Sequence, residues 1–258
     1  MTRLCFTASS ADANSSANSA ARPASSLRRQ LIVAAIALAC LGGLALCIDL
    51  DVARWCKAGH LPREVKQFLN FSEVFGHAIG VATILLATAV LDPTLGGWHA
   101  RPRCGILPVS WDYVRMVVAG FAGGLMANII KATPLDRVRP RAADLAAAAS
   151  ALSTFGDSVA TTIANPSGSD VNSFPSGHAA TAAGLAAALS WKYPRGRWFF
   201  AAMAVAAAAQ RVASSAHYPS DVLLGAALGL AGAACVIGLS PPHTTSLTDG
   251  SFTNRVTQ

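Results

Sequence analysis

The residues of this sequence best suited to chemistry form one short run, Arg211-Val-Ala-Ser-Ser-Ala-His217-Tyr-Pro-Ser-Asp221, at the junction of two apolar stretches. An imidazole four residues before a carboxylate can donate its Nδ1 hydrogen to that carboxylate once the chain turns into a helix, leaving Nε2 as an aimed nucleophile or base. Arg211 adds a planar fork that suits a phosphate. Taken alone, the same residues equally describe a surface ion pair at a helix start.

A second group is Phe174-Pro175-Ser176-Gly177-His178. Pro175 fits the first turn of a helix, where its missing N–H would have been an orphan. The N–H groups that follow, with the helix dipole, favour an anion; Gly177 lets the backbone come close, and Ser176 can add its hydroxyl. His178 then stands beside that anion, although an ordinary turn into a helix has the same composition. A third group is Lys131, Arg139 and Arg211. Three cations near one membrane face are costly unless something anionic balances them. Asp136 could neutralise one; a phosphoryl group would neutralise more. Glu73 and His77, four residues apart, are expected to share a helix face and pair with each other, with contact to a substrate head group as the alternative. Asn128, one turn before Lys131, is expected to make an interhelical hydrogen bond.

The elements that must position these groups are apolar. The 258 residues are 53% hydrophobic and 13% charged, with a mean hydropathy of +0.43, whereas soluble domains carry about 25% charged residues. A net charge of +7 would admit nucleic acid as a partner, but the basic residues form no stripe and no aromatic platform, so basic loops of a membrane protein explain it better. The cysteines show no metal-ligand spacing. Apolar runs at about 31–50, 71–91, 114–130, 177–191, 198–209 and 222–239 predict an all-α, six-transmembrane-helix bundle over residues 31–240. Residues 1–30, rich in Ser, Ala and Asn, read as a disordered tail, and residues 241–258 as a second polar tail. Within 131–174 an Ala-rich piece suggests a short surface helix. Six spans put both termini on one side, and Arg22, Arg28, Arg29, Arg101, Arg103, Arg115, Lys192, Arg195 and Arg197 make that side cytoplasmic. Span counting then brings Lys131, Arg139, Ser176, His178, Arg211, His217 and Asp221 to one extracytoplasmic face. Unrelated polar residues would be divided between both faces.

In this order the three groups resemble the signature of the phosphatidic acid phosphatase type 2 superfamily, K-x6-RP, PSGH and SR-x5-H-x3-D. Pro175-Ser176-Gly177-His178 matches in full, and Arg211, His217 and Asp221 match at the family spacing. Gln210 replaces the family's Ser, and seven residues instead of six separate Lys131 from Arg139-Pro140, with Arg137 available as a substitute cation. The resemblance implies the six-helix phosphatase/haloperoxidase fold and a membrane lipid phosphatase. His217 would attack phosphorus and form a phosphohistidine, with Asp221 fixing its tautomer. His178 would protonate the leaving oxygen, and Lys131, Arg139, Ser176, Gly177 and Arg211 would hold the phosphate oxygens. It implies no cofactor and no metal, because fixed cations do the work of a divalent ion. The expected partner is a lipid phosphate; the oligomeric state is left open. A lipid-linked phosphotransferase, a soluble-type acid phosphatase relative, a vanadate haloperoxidase and a degenerate non-enzymatic membrane protein are the alternatives.

Overall fold

The computed structural model describes residues 10–95, 110–156 and 168–239, with side chains from residue 25 onward. Arg101, Arg103 and the C-terminal tail lie outside the described residues. The chain runs α1 (Ser10–Ala45), α2 (Asp49–Lys57), α3 (Arg63–Ser72), a 3₁₀ turn (Glu73–Phe75), α4 (Ala78–Leu91), α5 (Trp111–Lys131), a second 3₁₀ turn (Ala151–Thr154), α6 (Gly177–Lys192), α7 (Arg197–Ala213) and α8 (Pro219–Ile237). The all-α expectation holds: the described residues contain no strand, only isolated bridges of Arg137 with Phe155 and Asn172.

Several boundaries differ from expectation, each for a physical reason. Helix α1 begins at Ser10, upstream of Leu31, so much of the stretch expected to be a tail is helical; alanine is the best helix former, and an apolar helix already nucleated extends cheaply into it. Its apolar run also ends early, at Ala45, so that Asp49 starts a separate helix. The second run is broken: Arg63–Phe75 and Ala78–Leu91 meet at 65°, with Gly76 and His77 in the break. The Ala-rich piece forms turns and the four-residue 3₁₀ segment Ala151–Thr154 in place of a surface α-helix.

Ser25–Ala45, Trp111–Lys131 and Pro219–Ile237 are long and apolar enough to cross a membrane, and the bent pair would make a fourth crossing. This is a multi-pass membrane chain, but the six expected spans are not all reached by length. The helices α6 and α7 have 16 and 17 residues, about 24–26 Å at 1.5 Å per residue, against roughly 30 Å of hydrocarbon. Helix α6 needs no such match, because nearly all of its first three turns are buried among neighbours.

Packing follows from small residues. Helix α6 lies against α5, α7 and α8, and α1 lies along α8. A Cβ on Gly229 would stand 2.1 Å from the Ala180 carbonyl oxygen, and one on Gly123 would stand 2.4 Å from the Gly229 Cα. Backbones therefore touch where α5, α6 and α8 meet, the close approach that glycine permits between membrane helices. Leu85, Met116, Leu185 and Leu189 fill the core around that contact. The outside is apolar too, with Val33, Ile36, Leu44, Ile79, Leu125 and Val205 exposed, as lipid-facing positions require.

Candidate active site

The expected anion cradle lies at the start of α6. Ser176 is its N-cap, its Oγ accepting from the Ala179 N–H at 3.4 Å, while its own N–H donates to the Asp221 carbonyl at 3.0 Å. Pro175 thus precedes the cap and is not in the first turn; the Ser176 side chain does the capping. The N–H groups of Gly177 and His178 stay among the orphan donors of a helix start. Lys131 comes to the same place: a Cβ on Gly177 would stand 4.0 Å from its Nζ and 3.9 Å from the Asn128 Oδ1. Asn128 therefore lies beside the cradle. The extra residue after Lys131 is absorbed in a turn, after which the backbone N–H of Arg137 donates to Val171 at 2.8 Å and that of Arg139 to Asp170 at 2.7 Å. The Arg139 fork is then oriented by carbonyls, those of Ser169 at 2.7 Å, Asn172 at 3.4 Å and Ala216 at 3.5 Å, the last of these next to His217.

His217 is buried, with 2% of its surface exposed. Its Nδ1 lies 2.7 Å from the Ser173 carbonyl oxygen and 3.8 Å from Asp221 Oδ2. A carbonyl can only accept, so Nδ1 carries the hydrogen and the lone pair is left on Nε2. The expected Nδ1–Asp221 hydrogen bond is replaced by one to backbone, and Asp221 acts on the ring through its field. Burial pulls the His217 pKa below the ordinary imidazole value, with Asp221 opposing the shift. The neutral ring is therefore favoured over the imidazolium.

Asp221 is occupied elsewhere. Its Oδ2 accepts from the Ser173 hydroxyl at 2.6 Å and the Tyr218 N–H at 3.0 Å, and its Oδ1 takes the Arg137 Nη1. Arg137, fully buried, also pairs with Asp49 Oδ2 at 2.6 Å, donates to the Ser220 hydroxyl at 2.8 Å and to Thr154 at 3.0 Å, and lies between the rings of Tyr218 and Phe155. It cannot substitute as a phosphate-binding cation. Asp136, expected to neutralise one of Lys131, Arg139 and Arg211, is exposed; the carboxylate that pairs within that group is Glu73, on Arg211, while Asp49 pairs with Arg137. Sequence reasoning missed Asp49; the available signal was a carboxylate at the end of a long apolar run, where burial demands a partner.

Arg211 donates through Nη1 to Glu73 Oε1 at 2.7 Å and to Gln210 Oε1 at 3.2 Å. Its buried Nε has no hydrogen-bond partner among the described residues. Glu73 thus pairs with Arg211 and not with His77, because the break after Phe75 removes the shared helix face. Both still converge on His178: Glu73 Oε1 lies 4.0 Å from its Nε2, and the His77 ring centroid lies 5.8 Å from its own. Two histidines, a capped helix start, Lys131, Arg139 and Arg211 therefore meet at one end of the bundle, an arrangement suited to in-line attack on a phosphoryl group and to protonating what leaves.

The family model of the PAP2 superfamily matches residues 112–244, just over half of the chain. The chain belongs to the PAP2 superfamily. The match starts at α5, so that Asp49 and Glu73 come from outside it. Among curated proteins, a lipid A 1-phosphatase of Rhizobium johnstonii is 36% identical over 131 residues, 50% of this chain and 48% of the relative. A lipid A 1-phosphatase of Rhizobium etli is 34% identical over 131 residues, 50% of this chain and 51% of the relative. The chain spans about half the length of these curated relatives. Among solved structures, a transmembrane PAP2-type phosphatidylglycerolphosphate phosphatase of Bacillus subtilis superposes with a TM-score of 0.52 at 19% identity, covering 82% of this chain and 94% of that one. That likeness supports the PAP2 fold.

Proposed function

We propose that this PAP2 chain is an integral-membrane lipid phosphatase that cleaves a lipid phosphate through a phosphohistidine on His217. The observation that carries this is the His217 ring: Nδ1 is bound to the Ser173 carbonyl at 2.7 Å, which leaves Nε2 unprotonated and nucleophilic within a wall of fixed cations. In the first step Nε2 bonds to phosphorus as the ester P–O bond breaks. The departing alkoxide takes its proton from His178. In the second step water attacks the phosphohistidine, His178 takes the water's proton, and His217 and inorganic phosphate are released. Lys131, Arg139, the Arg211 Nε–H, the Ser176 hydroxyl and the Gly177 N–H hold the phosphoryl oxygens as charge shifts between them. Asp221 reaches the nucleophile through Ser173 and through its field, and so it positions and stabilises the imidazolium.

A phosphorylated glycolipid is the favoured substrate class, because both curated relatives are lipid A 1-phosphatases. The termini are cytoplasmic and the site faces the other side. The chemistry is tested by quenching the protein in base after incubation with radiolabelled lipid phosphate. Wild-type protein retains label on histidine and His217→Ala retains none; label on the variant refutes the assignment.

A further inference from the structure

A cavity of about 440 Å³ opens beside the catalytic cluster, and Lys57, Lys66 and Arg141 line it together with Asn70, Gln210 and Ser215. Its lining contains three cations, two side-chain amides and no carboxylate. Lys57 is oriented by donating to the Ala143 carbonyl at 2.9 Å, and Arg141 by Asp170 at 3.2 Å. Lys66 forms no ion pair with any described residue. Three basic side chains around one concavity favour an anion, and a volume of this size falls within the range of small-molecule sites, about 300–1,000 Å³.

Gln210 is the wall between this cavity and the phosphate site. It is 5% exposed; its Nε2 donates to Asn70 at 3.2 Å and to Glu73 at 3.4 Å, and its Oε1 accepts from Arg211 at 3.2 Å. The serine that the family signature has at this position could not span those three partners. Gln210, which lines the second cavity, is thus the chain neighbour and hydrogen-bond partner of Arg211, which grips the reacting phosphate in the proposed mechanism.

We propose that this cavity is a second anion subsite, which takes a further phosphoryl group on the head group of the lipid substrate. The proposal rests on the lipid phosphatase reading and narrows it to lipids with two anionic groups, of which only the one at Arg211 is cleaved. The cations at the cavity raise affinity without touching the bond that breaks, so their effect belongs in KM.

The test compares two glycolipids that are alike except that one carries a second head-group phosphate, in mixed micelles. Wild-type protein should prefer the doubly phosphorylated lipid in kcat/KM by roughly three- to tenfold, as expected for a few partly exposed charge contacts. In Lys66→Gln/Arg141→Gln that ratio should fall to about one through a higher KM for the doubly phosphorylated lipid, and Lys66→Arg alone should keep it. Equal loss on both lipids, or no preference in wild type, overturns the proposal. So does inhibition by added inorganic phosphate that is relieved in the double variant without any lipid preference, which would assign the cavity to free phosphate. Failure of the underlying reading looks different, as wild-type protein that releases phosphate from neither lipid.

Discussion

In the proposed mechanism His217 and His178 act on one phosphate from different sides of the reaction, and the leaving group separates their duties. On that assignment, no phosphoenzyme should form from any substrate without His217. Without His178 only the proton donor is lost, a contribution of about 10² to 10⁴-fold that depends on how basic the departing oxygen is. A lipid alkoxide needs that proton; a nitrophenolate, stable as an anion, does not. His178→Ala should therefore lose most lipid phosphate hydrolysis and keep a much larger share of nitrophenyl phosphate turnover, while His217→Ala loses both. Equal loss of both activities in His178→Ala would assign the proton transfer elsewhere. Arg211, His217 and Asp221 were legible as one group because their spacing is local, and His178 because it sits in the short run Pro175-Ser176-Gly177-His178. The Ser173 carbonyl was not, since a backbone oxygen leaves no mark in sequence. Glu73 was misassigned for a related reason: it lies 138 residues from Arg211 along the chain, and four-residue spacing to His77 meant nothing once the helix between them broke.

At the level of elements, the cradle depends on how closely α8 approaches it. A Cβ on Gly225 would stand 2.3 Å from the Ser176 carbonyl oxygen and 3.2 Å from its N, and no flexible side chain is there to give way. Gly225→Ala should cost about 1–3 kcal/mol of stability, the usual range for an overpacked core, and should reduce phosphatase turnover because the backbone that must move is the anion cradle itself. Gly43→Ala is the control: nothing lies within 4 Å of its Cβ position, so a glycine inside α1 becomes a better helix former at no steric expense. Thermal unfolding in detergent and turnover of both variants check this; normal turnover in Gly225→Ala would show that α8 does not hold the cradle. The apolar helices were readable from hydrophobicity, but their ends were not, and the more polar α2 and α3 were not read at all. Gly76 stops the second run because it packs where a Cβ would meet the His178 carbonyl at 2.8 Å, a tertiary demand that apolar composition cannot announce.

The described residues present an apolar exterior with their polar chemistry gathered at one end, and the orientation proposed above rests on the loop charges. Arg54 donates to the Leu145 and Ala148 carbonyls and Lys57 to that of Ala143, so these basic residues are held by the polar cap over the site. They do not count against the basic loops that the positive-inside rule assigns to the cytoplasm. A reporter fused after Gln258 should accordingly read as cytoplasmic; an external signal would reverse the orientation. Arg137 adds a constraint of another kind. It joins Asp49 of α2 to Asp221 of α8 in a fully buried knot, and neither carboxylate can be left unpaired in that interior. During synthesis the ribosome delivers Asp49 long before His217. Until α8 docks, Arg137 lacks one of its two counter-charges and Ser173 lacks the carboxylate that holds it, so the carbonyl that orients the nucleophile is not set. If the proposed function holds, the nucleophile is therefore oriented only once α8 has docked on α2 through Arg137.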